Sequence, residues 1–291
     1  MSKIQDALRE MKEISKSRPA APTKKLAKVV RREHVYGGHR IVVDRSQLQA
    51  NGLLAPGEDE RRLSEQYRAI KRPLLGNADT SLRSVLPLGN LVMVASALPG
   101  EGKTFTCMNL CLSIARERDW SVVLVDGDSA KQHLTGLFGA DGRAGLMDLL
   151  RDPDLSFEDL VMPTDIPGLS LLPAGDYDAD SSELLASRRM KELCFQLSSS
   201  DVGRMIIFDS SPLLLTTEAI ALASQVGQVA MVVKADSTPQ QAVLAALEKL
   251  DPEKAINCVL NNTSGADLSE SYGYYGYYGN YGEEAPPSPE A

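Results

Sequence analysis

The chemistry in this 291-residue chain is concentrated in a short run, Ala97-Leu98-Pro99-Gly100-Glu101-Gly102-Lys103-Thr104. Gly100 and Gly102 let the backbone curl so that successive N–H groups converge on phosphate oxygens. Lys103 is placed to reach β- and γ-phosphates, and the Thr104 hydroxyl to ligate Mg²⁺. Pro99, Gly100, Glu101, Gly102, Lys103, Thr104 and Phe105 are the candidate nucleotide contacts. The usual first glycine of such a loop is Ala97 here, a position that needs only a small residue. The competing reading is a glycine-rich turn with a chance Lys-Thr. Further on stand three carboxylates, Asp126, Asp128 and Asp209, each at the end of an apolar run. Thr104, Asp128 and Asp209 could organise a metal, directly or through water, and Asp209 follows four apolar residues as a Walker B aspartate does.

Such groups need a scaffold that brings strand ends together. Leu91–Ser96 reads as a buried parallel strand, and 105–115 as a helix with an apolar face, which is the strand–loop–helix setting of a phosphate-binding loop. Residues 121–125 and 205–208 read as further buried strands, each ending in acid. Residues 229–233 and 256–260 add two more, with helices expected at 182–198, 216–226 and 240–250. Short helices are expected within 146–162, and a strand and turn at 169–175. Alternation of this kind gives an α/β fold with a doubly wound, largely parallel sheet, whose chemistry lies at the carboxyl ends of its strands.

Hydrophobic residues make up 43% of the chain, which is globular, and the net charge is −8. Residues 1–35 carry a net +6, leaving −14 for the remainder. An acidic body argues against a nucleic-acid face, whereas the basic arm could meet an anionic surface or partner. The four cysteines lack metal-ligand spacing. Cys107 and Cys111, one helical turn apart in apolar sequence, read as core. No apolar stretch approaches the ~20 residues of a spanning helix, and the opening Met1-Ser2-Lys3-Ile4 does not start a signal peptide. The expected location is the cytoplasm.

The expected organisation is a basic helix and linker at 1–50, a nucleotide-binding domain at 51–265 and a tail at 266–291. Residues 3–16 could form a small docking helix, and Ile41-Val42-Val43 a strand. A charged helix spans 58–75, stopped by Pro73, with Glu65, Arg68 and Lys71 on one face. Its plainer reading is a solvated face with local ion pairs. The tail holds six of the nine tyrosines, Tyr272, Tyr274, Tyr275, Tyr277, Tyr278 and Tyr281, interleaved with glycine and expected to be disordered.

Together these motifs resemble the bacterial tyrosine kinases (BY-kinases), P-loop enzymes, and within them the autokinases associated with capsule and exopolysaccharide export. The resemblance covers roughly residues 58–282. It rests on the loop at 96–104, on Val123-Leu124-Val125-Asp126-Gly127-Asp128 as a second nucleotide motif (Walker A′), and on Ile206–Pro212 as Walker B. Pro173-Ala174-Gly175 with Glu183-Leu184-Leu185 matches a connecting segment, and the tail resembles the family's tyrosine cluster. Glu65, Arg68 and Lys71 are similar to an E-x-x-R-x-x-R oligomerisation motif, with lysine in the last position. Ala130-Lys131 stand where arginine is usual, and Ser211 where proline is commoner.

The resemblance implies an ATP- and Mg²⁺-dependent protein-tyrosine autokinase that phosphorylates its C-terminal tyrosines and regulates exopolysaccharide or capsule assembly. Lys103, Asp126 and Asp128 would be catalytic. Asp126 is either the base for the tyrosine hydroxyl or a metal-shell residue, and Asn261 would contact adenine or serve as a strand-end turn. Implied partners are further copies of the chain, a membrane polysaccharide co-polymerase (chain-length determinant) activating in trans at the inner membrane face, and a phosphotyrosine phosphatase. Two alternatives stand beside it. One is a MinD/ParA-type ATPase, whose signature lysine position is occupied here by Leu98. The other is a nucleotide-gated scaffold for the co-polymerase that transfers nothing.

Overall fold

The computed structural model describes residues 36–54, 58–82, 84–200 and 203–263. The expected 3–16 helix, the 17–35 linker and the tyrosine tail lie outside the described residues. In chain order the described elements begin with α1 (Arg45–Ala50), α2 (Glu58–Asn77), β1 (Leu91–Ser96), α3 (Lys103–Ala115), β2 (Ser121–Asp126) and α4 (His133–Leu137). Next come α5 (Leu146–Arg151), α6 (Phe157–Leu160), β3 (Met162–Pro163), β4 (Leu169–Leu172), α7 (Ser181–Ala186), α8 (Arg188–Ser200) and β5 (Arg204–Asp209). The last are α9 (Thr217–Gln225), β6 (Gln228–Lys234), α10 (Gln240–Leu247) and β7 (Ala255–Asn261).

The seven strands form one sheet in the order β3-β4-β2-β5-β1-β6-β7, parallel except for the β3–β4 pair. The central strands are apolar on both faces because helices cover both. On one face Met93, Val125 and Phe208 pack with α5, α7, α8 and α9. On the other, Val94, Leu124 and Ile207 pack with Leu110 and Ile114 of α3 and Leu74 of α2. Cys107 and Cys111 are buried in that second layer, as apolar sequence around them predicts. β2 and β5 run in register, so Asp126 and Asp209 are direct neighbours. At this junction Gly127 donates to the Asp209 carbonyl, and a Cβ on Gly127 would lie 2.5 Å from that oxygen.

Several elements depart from the sequence expectation. Pro73 does not stop α2, which runs on to Asn77. Proline removes one N–H and crowds the Ala69 carbonyl, but both residues are exposed, so water can take that carbonyl. Fully buried Leu74 and the Asn77–Gln228 side-chain bond of 2.8 Å hold the last turn. The helix expected at 182–198 is two helices, because Ser187 is extended and its hydroxyl caps α8 by accepting from the Met190 N–H at 3.2 Å. Ile41-Val42-Val43 is not a strand. Ile41 makes a single bridge to Thr164. Residues 36–50, grouped by sequence with the basic helix and linker at 1–50, put Ile41, Val43 and Leu48 into the core. Among the described residues no helix is long and apolar enough to cross a membrane.

Candidate active site

The loop after β1 turns through two left-handed residues, Gly100 (φ 74°) and Gly102 (φ 92°), a conformation that costs any other residue. At Gly102 a Cβ would also meet the Asn261 amide nitrogen at 2.1 Å. α3 starts directly behind, so its free N–H groups and dipole face the loop's mouth. The cleft there encloses about 380 Å³, within the usual range for small-ligand sites. It is lined by Pro99, Gly100, Gly102, Lys103, Thr104 and Phe105 from the loop and helix, and by Asp126, Asp128 and Asp209 from the strand ends.

Of the expected contacts, Glu101 and Asn261 do not line the cleft. Glu101 is buried beneath the loop, its carboxylate accepting from the Leu98 N–H at 2.8 Å and from the Thr238 hydroxyl. The Asn261 amide donates to the Glu101 carbonyl at 2.9 Å. Both therefore brace the loop against the ends of β6 and β7. Thr238 gave no sequence signal for this role, because its partner Glu101 lies 137 residues away in the chain.

Lys103 donates to the Ser96 hydroxyl at 3.0 Å. Burial draws its pKa below the ordinary lysine value, opposed by the carboxylates of Asp209, Asp128 and Glu101. Thr104 donates to Asp209 Oδ2 at 2.8 Å. Asp209 is 3% exposed, and burial, helped by the neighbouring Asp126 charge, pushes its carboxyl up to about 7, with the Thr104 bond, the Lys103 charge and the Ser210 N–H pulling the other way. Its second oxygen, Oδ1, is buried without a hydrogen-bond partner. Such an orphaned acceptor is costly and fits a hard cation. Thr104, Asp128 and Asp209 supply oxygen only, the donor type Mg²⁺ takes. Among the described residues no cluster of three or more His, Cys, Asp or Glu side chains could hold a metal by itself.

Asp126 is treated differently. Thr135 donates to its Oδ2 twice, through N–H and hydroxyl, both at 2.8 Å, and the Asp128 N–H reaches Oδ1 at 3.3 Å. Burial still raises its pKa, partly offset by the Thr135 bonds. Thr135 gave no sequence signal, nor did Asn51, Gly52, Leu53 and His133 on the cleft's rim.

Lys71 does not share an exposed face with Glu65 and Arg68. It is 5% exposed and points into the chain, 2.7 Å from Glu117 and 2.6 Å from the Ser113 carbonyl at the end of α3. A cation there satisfies the last carbonyls of that helix. The residue in the last position of the motif that the sequence resembles is therefore engaged inside the chain, whereas Glu65 and Arg68 remain exposed.

No protein-family model matches the chain. It is 30% identical to the tyrosine-protein kinase YwqD of Bacillus subtilis over 232 residues, covering 79% of this chain and 92% of that protein. It is 29% identical to the tyrosine-protein kinase Wzc of Salmonella typhimurium over 229 residues, 74% of this chain but only 31% of that one. Among solved structures, the VpsO kinase domain is 31% identical with a TM-score of 0.54, matched over its whole length and over 68% of this chain. The kinase domain of the Escherichia coli tyrosine kinase ETK shares the fold, with a TM-score of 0.57 at 23% identity.

Proposed function

Because the chain belongs to the bacterial tyrosine-protein kinases, we propose that this cleft binds Mg²⁺-ATP and passes the γ-phosphoryl group to tyrosines of its own C-terminal segment. The observation that carries the reading is the Thr104–Asp209 pair at the head of the loop, with Asp209 Oδ1 buried and unpartnered. Thr104, Asp209 and Asp128 are the residues that would hold Mg²⁺, which would supply positive charge to offset that of the phosphates. Phosphoryl transfer needs positioning and charge neutralisation more than covalent chemistry. The loop amides and Lys103 cradle the β- and γ-phosphates. A tyrosine hydroxyl, of pKa about 10 in water, needs help to react at neutral pH. We assign Asp126 as the acceptor of its proton, because Thr135 orients it, burial raises its basicity and it faces the cleft. We do not assign it to the metal shell, because its Oδ2 already accepts two hydrogen bonds.

The acceptors are Tyr272, Tyr274, Tyr275, Tyr277, Tyr278 and Tyr281. Each phosphate adds about −1.5 to −2 charges to an acidic chain, which we read as the signal that loosens contacts between copies. Glu65 and Arg68 are the exposed candidates for such contacts. The regulated process we assign, on the family resemblance, is exopolysaccharide or capsule assembly, with a membrane co-polymerase as activator and a phosphatase as the reverse arm. The test is incubation of the full chain with Mg²⁺-ATP and mass spectrometry of the tail. Phosphate on the tail tyrosines, absent in Lys103→Met, supports the reading. A bare tail with the activator present rejects it.

A further inference from the structure

Nine tyrosines occur in the chain, and three of them are in described segments. Tyr67 is 4% exposed and its phenol is pushed up to about 12 by burial. The Tyr36 hydroxyl is buried. Tyr177 is 65% exposed, in Asp176-Tyr177-Asp178-Ala179-Asp180 between β4 and α7.

The base of this segment is fastened to the elements that frame the cleft. The Gly175 carbonyl accepts from Gln132 Nε2 at 2.8 Å, and the Ala174 N–H donates to the Thr135 hydroxyl that also holds Asp126. Gln132 directly follows Lys131, an exposed cation on the cleft's wall. The neighbours of Tyr177 are tied too. Asp176 N–H donates to Asp148, and Arg151 pairs with Asp178 at 3.2 Å while donating to the Asp176 carbonyl. The backbone on both sides of Tyr177 is therefore fixed while its side chain stands in solvent. A phenol presented this way loses little conformational entropy on entering another site. Lys131, exposed on the cleft's wall, is the cation the acidic flanks of Tyr177 would meet, since Asp126, Asp128 and Asp209 leave the inner cleft acidic.

Resting on the kinase reading above, we propose that Tyr177 is a second class of phosphoacceptor, modified by the cleft of another copy of this chain. In the transfer, Tyr177 Oη bonds to the γ-phosphorus as the bond from that phosphorus to the β,γ-bridging oxygen breaks. ADP leaves with the electron pair, and the phenolic proton passes to Asp126 and then to water. The product phosphate lies one residue from Asp178 and competes for Arg151, which links Asp148 and Asp178. Modification therefore loosens the strap that seats Gly175 on Gln132.

The test uses the full chain. Tyr177 is the only tyrosine between Arg151 and Arg188, and no Lys or Arg intervenes, so the tryptic peptide 152–188 reports it alone. Lys103→Met, which cannot modify itself, is mixed with active kinase whose Tyr177 is changed to Phe, together with Mg²⁺-ATP. Phosphate on peptide 152–188 of the Lys103→Met chain, lost when that chain also carries Tyr177→Phe, is the expected result. Phosphate on the tail peptides with none on 152–188 overturns this proposal alone. Phosphate on neither overturns the kinase reading with it.

Discussion

The ends of β2 and β5 carry carboxylates that are neighbours in the sheet, yet their surroundings differ. Asp126 is supplied with donors from Thr135 and Asp128, whereas Asp209 accepts from Thr104, is approached by the Ser210 N–H, and leaves its buried Oδ1 without a well-formed hydrogen bond. Both are raised in pKa by burial. A carboxylate already served by the protein is positioned by it. One left underserved is waiting for something the chain does not contain. We read the difference as separating the proposed proton acceptor, Asp126, from the proposed cation seat, Asp209, although the sequence writes both as an apolar run followed by Asp.

The largest effect that sharpens this comparison is on neither acid but on the charge between them. Lys103→Met should lower phosphotyrosine formation by roughly 10³-fold or more, the scale of losing a preorganised charge on the transferred group. Retained activity would mean the cleft is not the site. Asp209→Asn should follow, with a loss of roughly 10²–10³-fold and of the Mg²⁺ dependence of ATP binding. The same change should stabilise the ligand-free protein at pH 8, by on the order of 1–3 kcal/mol in denaturant unfolding. The sign follows from titration. The unfolded carboxyl sheds its proton near 3.8 and the folded one near 7, so the ligand-free fold loses stability as pH rises between those values. Asn has no charge to bury. A variant less stable at pH 8 would show that Asp209 is already satisfied in the empty protein.

A smaller effect is expected on the other side. Thr135→Val removes a hydroxyl donor from Asp126 while keeping the backbone N–H bond. It should cost about 1 kcal/mol of transition-state stabilisation, or about fivefold in kcat, and shift the acidic limb of the pH–rate profile upward. An unchanged limb would move the base elsewhere. The smallest is Thr238→Ala, which frees Glu101 beneath the loop and should weaken ATP binding by roughly two- to tenfold in calorimetry. A change in kcat alone would mean that the brace does not set the loop's ground-state shape.

The parts of the molecule legible in sequence are those where one local rule dominates. Val92–Ser96, Val122–Val125 and Met205–Phe208 are strands because an unbroken short apolar run bounded by turn residues has no better burial than the middle of a covered sheet. The loop is legible because its glycines, Lys103 and Thr104 each answer a separate demand of a phosphate. Contacts brought together by the fold are not legible. Thr135 is nine residues from Asp126 and lies in a short helix that no periodicity marks. The bracing role of Asn261 exists only because Gly102, 159 residues earlier, has no side chain. Lys71 illustrates the reverse, since its spacing from Glu65 and Arg68 fits a surface motif while the packing of α2 on α3 turns it inward.

The distinction between the two strand ends is tested most directly by calorimetric titration of ATP into wild type, Asp126→Asn and Asp209→Asn, each with and without Mg²⁺. Magnesium should strengthen binding to wild type and Asp126→Asn alike and do nothing for Asp209→Asn. A magnesium response that survives in Asp209→Asn and disappears in Asp126→Asn would contradict the account.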